Sequence, residues 1–198
     1  MTFSKAERHE AEKRITDFVR GTKEPPRKPG EVEEAPIDLG QMAMDQLRDY
    51  ISRKFRGHEL ARLVAGILEA QGFKTIISPP GPDGAVDIRA SSGALGLSEP
   101  QICVQVKSQD SPIELTVYRE LRDKTNRMNA THGLLVSWGG FKKTVYNEAK
   151  DDVFKIKLWE SKDVIEELLR NYLNLPSEIK ALIPLKQIWT LSELEEEE

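Results

Sequence analysis

One cysteine, Cys103, and three scattered histidines are all the Cys and His side chains that 198 residues offer. An internal disulfide and a Cys/His zinc site are thereby excluded. Apolar runs are short as well: none approaches the roughly 18 to 20 residues that a bilayer crossing needs. The opening MTFSKAERHE has no apolar signal core. These absences predict a cytoplasmic protein with no membrane partner. A strong charge of either sign is also missing, because the formal net charge is only -4. That average argues weakly against a nucleic-acid partner, yet it hides a gradient. The tail Glu193 to Glu198 is almost wholly acidic, whereas Gln101 to Lys157 carries a modest excess of Lys and Arg, and the local field governs phosphate binding. With 38% hydrophobic residues, the chain can bury the core of one ordinary domain plus an appendage. No internal repeat is present.

Along the chain, Ser4-Lys5-Ala6-Glu7 fits a capping box, and a charged helix follows over residues 1–21, ending at Gly21. Residues 22–37 are rich in proline and charge and read as a linker. Residues 38–56 predict an amphipathic helix, with Met44, Leu47, Ile51 and Phe55 at helical spacing. Its basic end, Arg53, Lys54 and Arg56, is what the last turn of a helix prefers. The compact domain is expected over 57–175. HELARLVAGILEAQG is a core helix stopped by Gly72, FKTIIS a strand, PPGPDG a turn and AVDIR a strand. SSGALGLSEP reads as a loop, QICVQVK as a strand, and a helix opens at Pro112 and runs to about Asn129. HGLLVSW and VFKIKLW are strands, and FKKTVYNEAKD and SKDVIEELLRNYL are helices. Residues 176–198 are an extension with an acidic tail. The order is helix, three-strand meander, helix, strand, helix, strand, helix, which predicts an α/β fold with a mixed central sheet flanked by helices.

Alternation on a strand puts residues two apart on one face. Cys103, Gln105 and Lys107 therefore share a face, with Ile102, Val104 and Val106 on the other. In AVDIR, Val86 and Ile88 belong to the apolar side, and Asp87 and Arg89 turn away from it. A carboxylate, an amide oxygen and an ammonium can converge at one edge of the sheet. Mg²⁺ takes oxygen ligands, keeps several waters, and is held by one or two carboxylates plus a substrate phosphate. Asp87 and Gln105 are candidate ligands, and Glu59, at the rim of the core helix beside Leu60 and Leu63, is the candidate second carboxylate. Lys107 would stabilise charge on the phosphate oxygens. Taken alone, Gln-x-Lys on a strand describes a solvated face. The set carries the reading: an acid inside an apolar strand, a polar pair on the next strand, and a helix with an acid at its rim. Cys103 reads as a packing residue and His58 as a helix-start residue.

GHELARLVAGILEAQGF, GPDGAVDIRA, ICVQVKS and THGLLVSWGGFKKTVYNEA, in this order, resemble the catalytic domain of the Mrr family of restriction endonucleases, within the PD-(D/E)xK nuclease superfamily. The resemblance covers roughly Arg56 to Leu173 and includes the unusual Gln in place of the acid before x-Lys. It implies a restriction-endonuclease-like core, a metal-binding aspartate at Asp87, the family's Gln-x-Lys at Gln105 and Lys107, and its helical glutamate at Glu59. It implies Mg²⁺ as cofactor, with Mn²⁺ able to substitute. In the family's glycine-rich turn, Pro82 and Ala85 replace glycines, and the basic residue that commonly follows the lysine is Ser108 here, a DNA-contact position. The first 45 residues are too polar and too broken by proline for a winged-helix block, so recognition of methylated DNA is not expected to come with these motifs.

A second candidate DNA contact is Ser137 to Lys143, where Gly139 and Gly140 allow close backbone approach and Lys142 and Lys143 add charge. An ordinary strand-to-helix loop accounts for the same letters. Arg119, Arg122 and Arg127 on the preceding helix either line a duplex groove or pair with Glu120 and Asp123, and the solvated face is the expectation. The leading expectation is a Mg²⁺-dependent DNA endonuclease in restriction of foreign DNA, with modified DNA a candidate target, and with a homodimer on DNA as the expectation because two strands need two sites. A repair or recombination nuclease acting on branched or damaged DNA is the alternative enzyme. A DNA-binding or assembly module that kept the fold without catalysis is the non-enzyme reading.

Overall fold

The computed structural model describes residues 38–79, 81 and 86–188. The expected N-terminal helix, the linker, most of the PPGPDG turn and the acidic tail lie outside the described residues. Helix α1 (Leu39–Lys54) buries Leu47 and Ile51, with Phe55 just beyond it, so three of its four predicted apolar positions enter the core. Its basic end is spent locally: Arg53 and Arg56 donate to the carbonyls of Asp49 and Ser52, and Lys54 donates to the Tyr50 hydroxyl. Helix α2 (His58–Ala70) carries the stripe Leu60, Leu63, Val64, Ile67 and Leu68, all buried. It stops where Gly72 takes φ 95°, a conformation that side-chain-bearing residues avoid.

The sheet has five strands in the order β1 (Lys74–Ile77), β2 (Ile88–Ser92), β3 (Ser98–Lys107), β4 (His132–Ser137) and β5 (Ile156–Glu160). β1, β2 and β3 pair antiparallel, as a meander must, and β3–β4 and β4–β5 pair parallel through helical crossovers. The crossovers are α3 (Leu115–Arg127) and α4 (Lys143–Ala149); α5 (Ser161–Arg170) follows β5, then a single 3₁₀ turn (Tyr172–Asn174) and α6 (Ser177–Leu182).

Side-chain alternation divides the interior in two. Ile88, Ala90, Val104, Leu134 and Val136 face α1, α2, α5 and α6. Cys103, Leu135 and Ile156 face Tyr118 and Leu121 of α3 and Val145 of α4. Each large aliphatic side chain so buried contributes about 1.5 to 3 kcal/mol. Val86 departs from expectation: it joins the α3 side, with Cys103 and Ile113, rather than the side of Ile88. The chain bends at Asp87, ahead of β2, and the bend interrupts the period of two. The SSGALGLSEP stretch is shorter as a loop than expected. β2 runs to Ser92 and β3 begins at Ser98, with Gly93 and Gly96 at positive φ between them. Beyond Leu175, α6 and the residue after it bury Ile179 and Ile183 against the core, and Gly66 of α2 leaves the space Ile179 fills: a Cβ there would lie 2.9 Å from Ile179 Cγ1.

α3 and α4 are clasped by charge. Arg119 Nε and Nη2 donate to the two carboxylate oxygens of Glu148 at 2.9 and 2.8 Å, and Arg122 Nη1 reaches Glu148 and Asp152 at 3.1 and 3.5 Å. The expected partners Glu120 and Asp123 are thus replaced by acids of the next helix and the turn after it. A bidentate fork on a facing helix is a better match to guanidinium geometry than a neighbour on the same helix. The hydrogen bond from Arg119 holds the Glu148 carboxyl below its usual range. A depressed carboxyl contributes stability that is present above its unfolded pKa and lost as pH falls through the folded one. Glu148→Gln is therefore expected to be less stable than wild type at neutral pH, with the gap closing below the ordinary carboxylate range. Urea unfolding at the two pH values checks this, and a gap that persists in acid contradicts it.

Candidate metal and phosphodiester site

The start of β2 and the end of β3 lie side by side, because antiparallel pairing sets Ile88 opposite Val104. Asp87 extends this pairing one residue beyond the strand: its N–H donates to the Val104 carbonyl at 2.9 Å and its carbonyl accepts from the Ser78 N–H at 2.8 Å. Both flanking strands thus fix its backbone. Its side chain then takes the place of the next ladder acceptor. Asp87 Oδ2 accepts from the Val106 N–H at 2.6 Å and from Gln105 Nε2 at 2.7 Å. Hydrogen bonds to an ionised acceptor are the stronger class, so this carboxylate is well held. Among the described residues nothing donates to its other oxygen.

Gln105 is nearly buried, at 7% exposure, and its amide oxygen accepts from Lys124 Nζ at 3.1 Å. Lys107 follows two residues later on the same face, at the last position of β3. No described carboxylate pairs with its ammonium. The structure therefore brings Asp87 and Gln105 into contact and sets Lys107 on the face of Gln105. No described hydrogen bond or ion pair joins Glu59 to them. Glu59 sits in the first turn of α2, half-exposed, and pairs with Arg62 at 3.3 Å. α2 packs on the sheet face that carries Val104 and Val136, opposite the face of Gln105. Ser108 is engaged too: its hydroxyl accepts from the Gly57 N–H at 2.7 Å, which ties the start of α2 to the end of β3.

The loop after β4 is built by packing. A Cβ on Gly139 would overlap the backbone of Asp110, and Gly140 has φ 76°. Lys142 pairs with Glu114 at 2.6 Å, and that contact lowers the Glu114 pKa; Lys143 opens α4 on the surface. Cys103 is buried, and loss of solvation raises its thiol pKa, in keeping with a packing residue.

Among the described residues no three His, Cys, Asp or Glu side chains cluster as a metal would need. The oxygen donors at the β2–β3 edge still suit Mg²⁺. That ion accepts a single protein carboxylate when waters and a phosphate complete the shell, and Asp87 keeps one oxygen free of described hydrogen bonds, while the neutral oxygen of Gln105 is occupied by Lys124. Lys124 is the residue that sequence reasoning missed. A signal existed: Val117, Leu121, Lys124 and Met128 follow a helical stripe, so Lys124 is a cation at an inward position.

A family model described as restriction endonuclease, the Mrr catalytic domain, matches residues 52–168, more than half of the chain. Among solved structures, the chain is similar to the DNA modification-dependent restriction endonuclease AspBHI, at 16% identity and a TM-score of 0.53, over 86% of this chain and 47% of that one. The MspJI restriction endonuclease in complex with a 27-mer oligonucleotide matches at 18% identity and a TM-score of 0.47, over 82% of this chain and 39% of that one. The chain thus spans less than half the length of either protein. No curated protein matches the sequence. The AspBHI likeness shows the fold, a mixed sheet flanked by helices. On the match to its family model, the chain belongs to the restriction endonucleases with an Mrr-type catalytic domain.

Proposed function

We propose that this chain is a Mg²⁺-dependent endodeoxyribonuclease that hydrolyses phosphodiester bonds in foreign DNA, modified DNA among its candidate targets. The observation that carries the reading is the 2.7 Å contact between Asp87 and Gln105 at the edge where Lys107 also stands. When bound, the cation would supply charge stabilisation on the phosphate oxygens and a lowered pKa for an attacking water. Asp87 and Gln105 would hold it, and Mn²⁺ would serve in its place. Lys107 contributes an ammonium with no described carboxylate partner to the phosphate and its developing negative charge. Asp87 is itself oriented by the Val106 amide, so the carboxylate needs no reorganisation when substrate arrives. Glu59 would join this set only by leaving Arg62. Ser108, Gly139, Gly140, Lys142 and Lys143 remain candidate DNA contacts, with Lys143 the most open to a phosphate because Ser108 and Lys142 already have partners. Two such sites, from two copies, would cut both strands.

The engagement of Glu59 with Arg62 favours a second reading, a DNA-binding module without catalysis. Incubation of purified protein with methylated plasmid, unmethylated plasmid and branched DNA, in Mg²⁺ or in EDTA, separates the readings. Metal-dependent linearisation of plasmid supports the restriction reading, cleavage confined to branched DNA supports repair, and binding without cleavage supports the module. Gln105→Glu adds a charge to the ligand set and is expected to tighten Mn²⁺ binding in calorimetric titration. An affinity equal to wild type contradicts Gln105 as a ligand.

A further inference from the structure

The Gln105 amide is fixed at both ends. Its NH₂ donates to Asp87 at 2.7 Å, and its oxygen accepts from the Lys124 ammonium at 3.1 Å. Turned by 180°, the amide would set a donor against the ammonium and an acceptor against the carboxylate, so its neighbours determine its orientation. Lys124 reaches this amide from the last turn of α3, across to β3. Although Glu120 and Asp123 share its helix, Lys124 forms no ion pair with any described carboxylate. A half-buried ammonium that takes a neutral amide instead of a nearby acid loses solvation for that contact. The contact also blocks something. The oxygen that a divalent cation would need is covered by a cation already present, and the side turned to Asp87 is a donor.

We propose that Lys124 is a positioning residue that competes with the divalent cation for Gln105, an internal counter-cation that holds the amide turned away from metal ligation until the ammonium withdraws. This rests on the reading of Asp87 and Gln105 as the metal site. Lys124 thereby sets the metal concentration at which the site loads, and its presence weakens metal binding. A lysine that only propped the fold would, on removal, leave metal affinity unchanged or reduce it.

The test is calorimetric titration of the full chain with MnCl₂, for wild type, Lys124→Met and Lys124→Arg, with circular dichroism as the check on folding. Lys124→Met keeps the aliphatic stem and removes the charge, and it is expected to bind Mn²⁺ about tenfold more tightly, the lower end of what neighbours of metal ligands contribute. Lys124→Arg retains a cation and should stay near wild type. Should Lys124→Met fail to fold, Lys124→Gln, a polar side chain at a half-exposed position, serves the same comparison. Wild-type binding that neither neutral variant tightens overturns the proposal and leaves the metal site standing. Absence of Mn²⁺ binding by wild type overturns the metal site and the proposal together.

Discussion

Lys107→Ala and Asp87→Asn are each expected to lower plasmid cleavage in Mg²⁺ by about a hundredfold or more, the scale of losing one group that stabilises developing charge. The choice of asparagine at position 87 matters. Asp87→Ala would strand the Val106 N–H and the Gln105 NH₂, at about 1 to 3 kcal/mol for each buried donor left without an acceptor. A loss of activity could then reflect a loosened strand pair. Asn keeps an oxygen for both donors while removing the charge that a cation needs. Lys107 ends β3 without a described carboxylate partner, so truncating it removes an ammonium and breaks no described ion pair. Linearisation assays on matched, folded proteins give the result. Cleavage at the wild-type rate by either variant contradicts the site.

Gly139→Ala is expected to destabilise the protein by about 1 to 3 kcal/mol, the range for forcing atoms into a filled space. The added methyl group has nowhere to go, because a Cβ there would overlap the Asp110 carbonyl and lie 2.7 Å from the Ser111 nitrogen. At about 2 to 4 °C for each kcal/mol in a chain of this size, thermal unfolding resolves the effect. The mutation also separates two explanations of the glycine pair after β4. If Gly139 serves only close packing, the variant loses stability while DNA affinity measured on the folded protein is kept. An unchanged melting temperature would mean that the loop gives way and that packing does not explain the glycine.

Much of the candidate site was legible from local rules. The period of two placed Cys103, Gln105 and Lys107 on one face and Val104 and Val106 on the other, since alternation on a paired strand leaves no freedom. The stripe on α2 was legible for the same kind of reason, with a period of 3.6. What the local rules could not supply were relations between elements. Val86 changed sides because the chain bends at Asp87, and a bend has no periodic signature. Arg119 and Arg122 chose Glu148 and Asp152 over acids of their own helix, which only the approach of α3 to α4 could reveal. Lys124 was visible as an inward cation on a stripe, but its target, a glutamine on another element, was not. The segment after Leu175 offers Ile179 and Ile183 at a spacing of four, too short a pattern to foretell that they seal the core beside Gly66.

One solution experiment reaches the centre of this account: titration of Mn²⁺ into ¹⁵N-labelled protein, following the loss of backbone amide signals near the paramagnetic ion. A cation held by Asp87 and Gln105 broadens residues 86–88 and 105–107 first, and Asp87→Asn abolishes that selectivity. Signals that vanish first elsewhere, or a spectrum in which the β2–β3 edge persists at saturating Mn²⁺, would contradict the assignment.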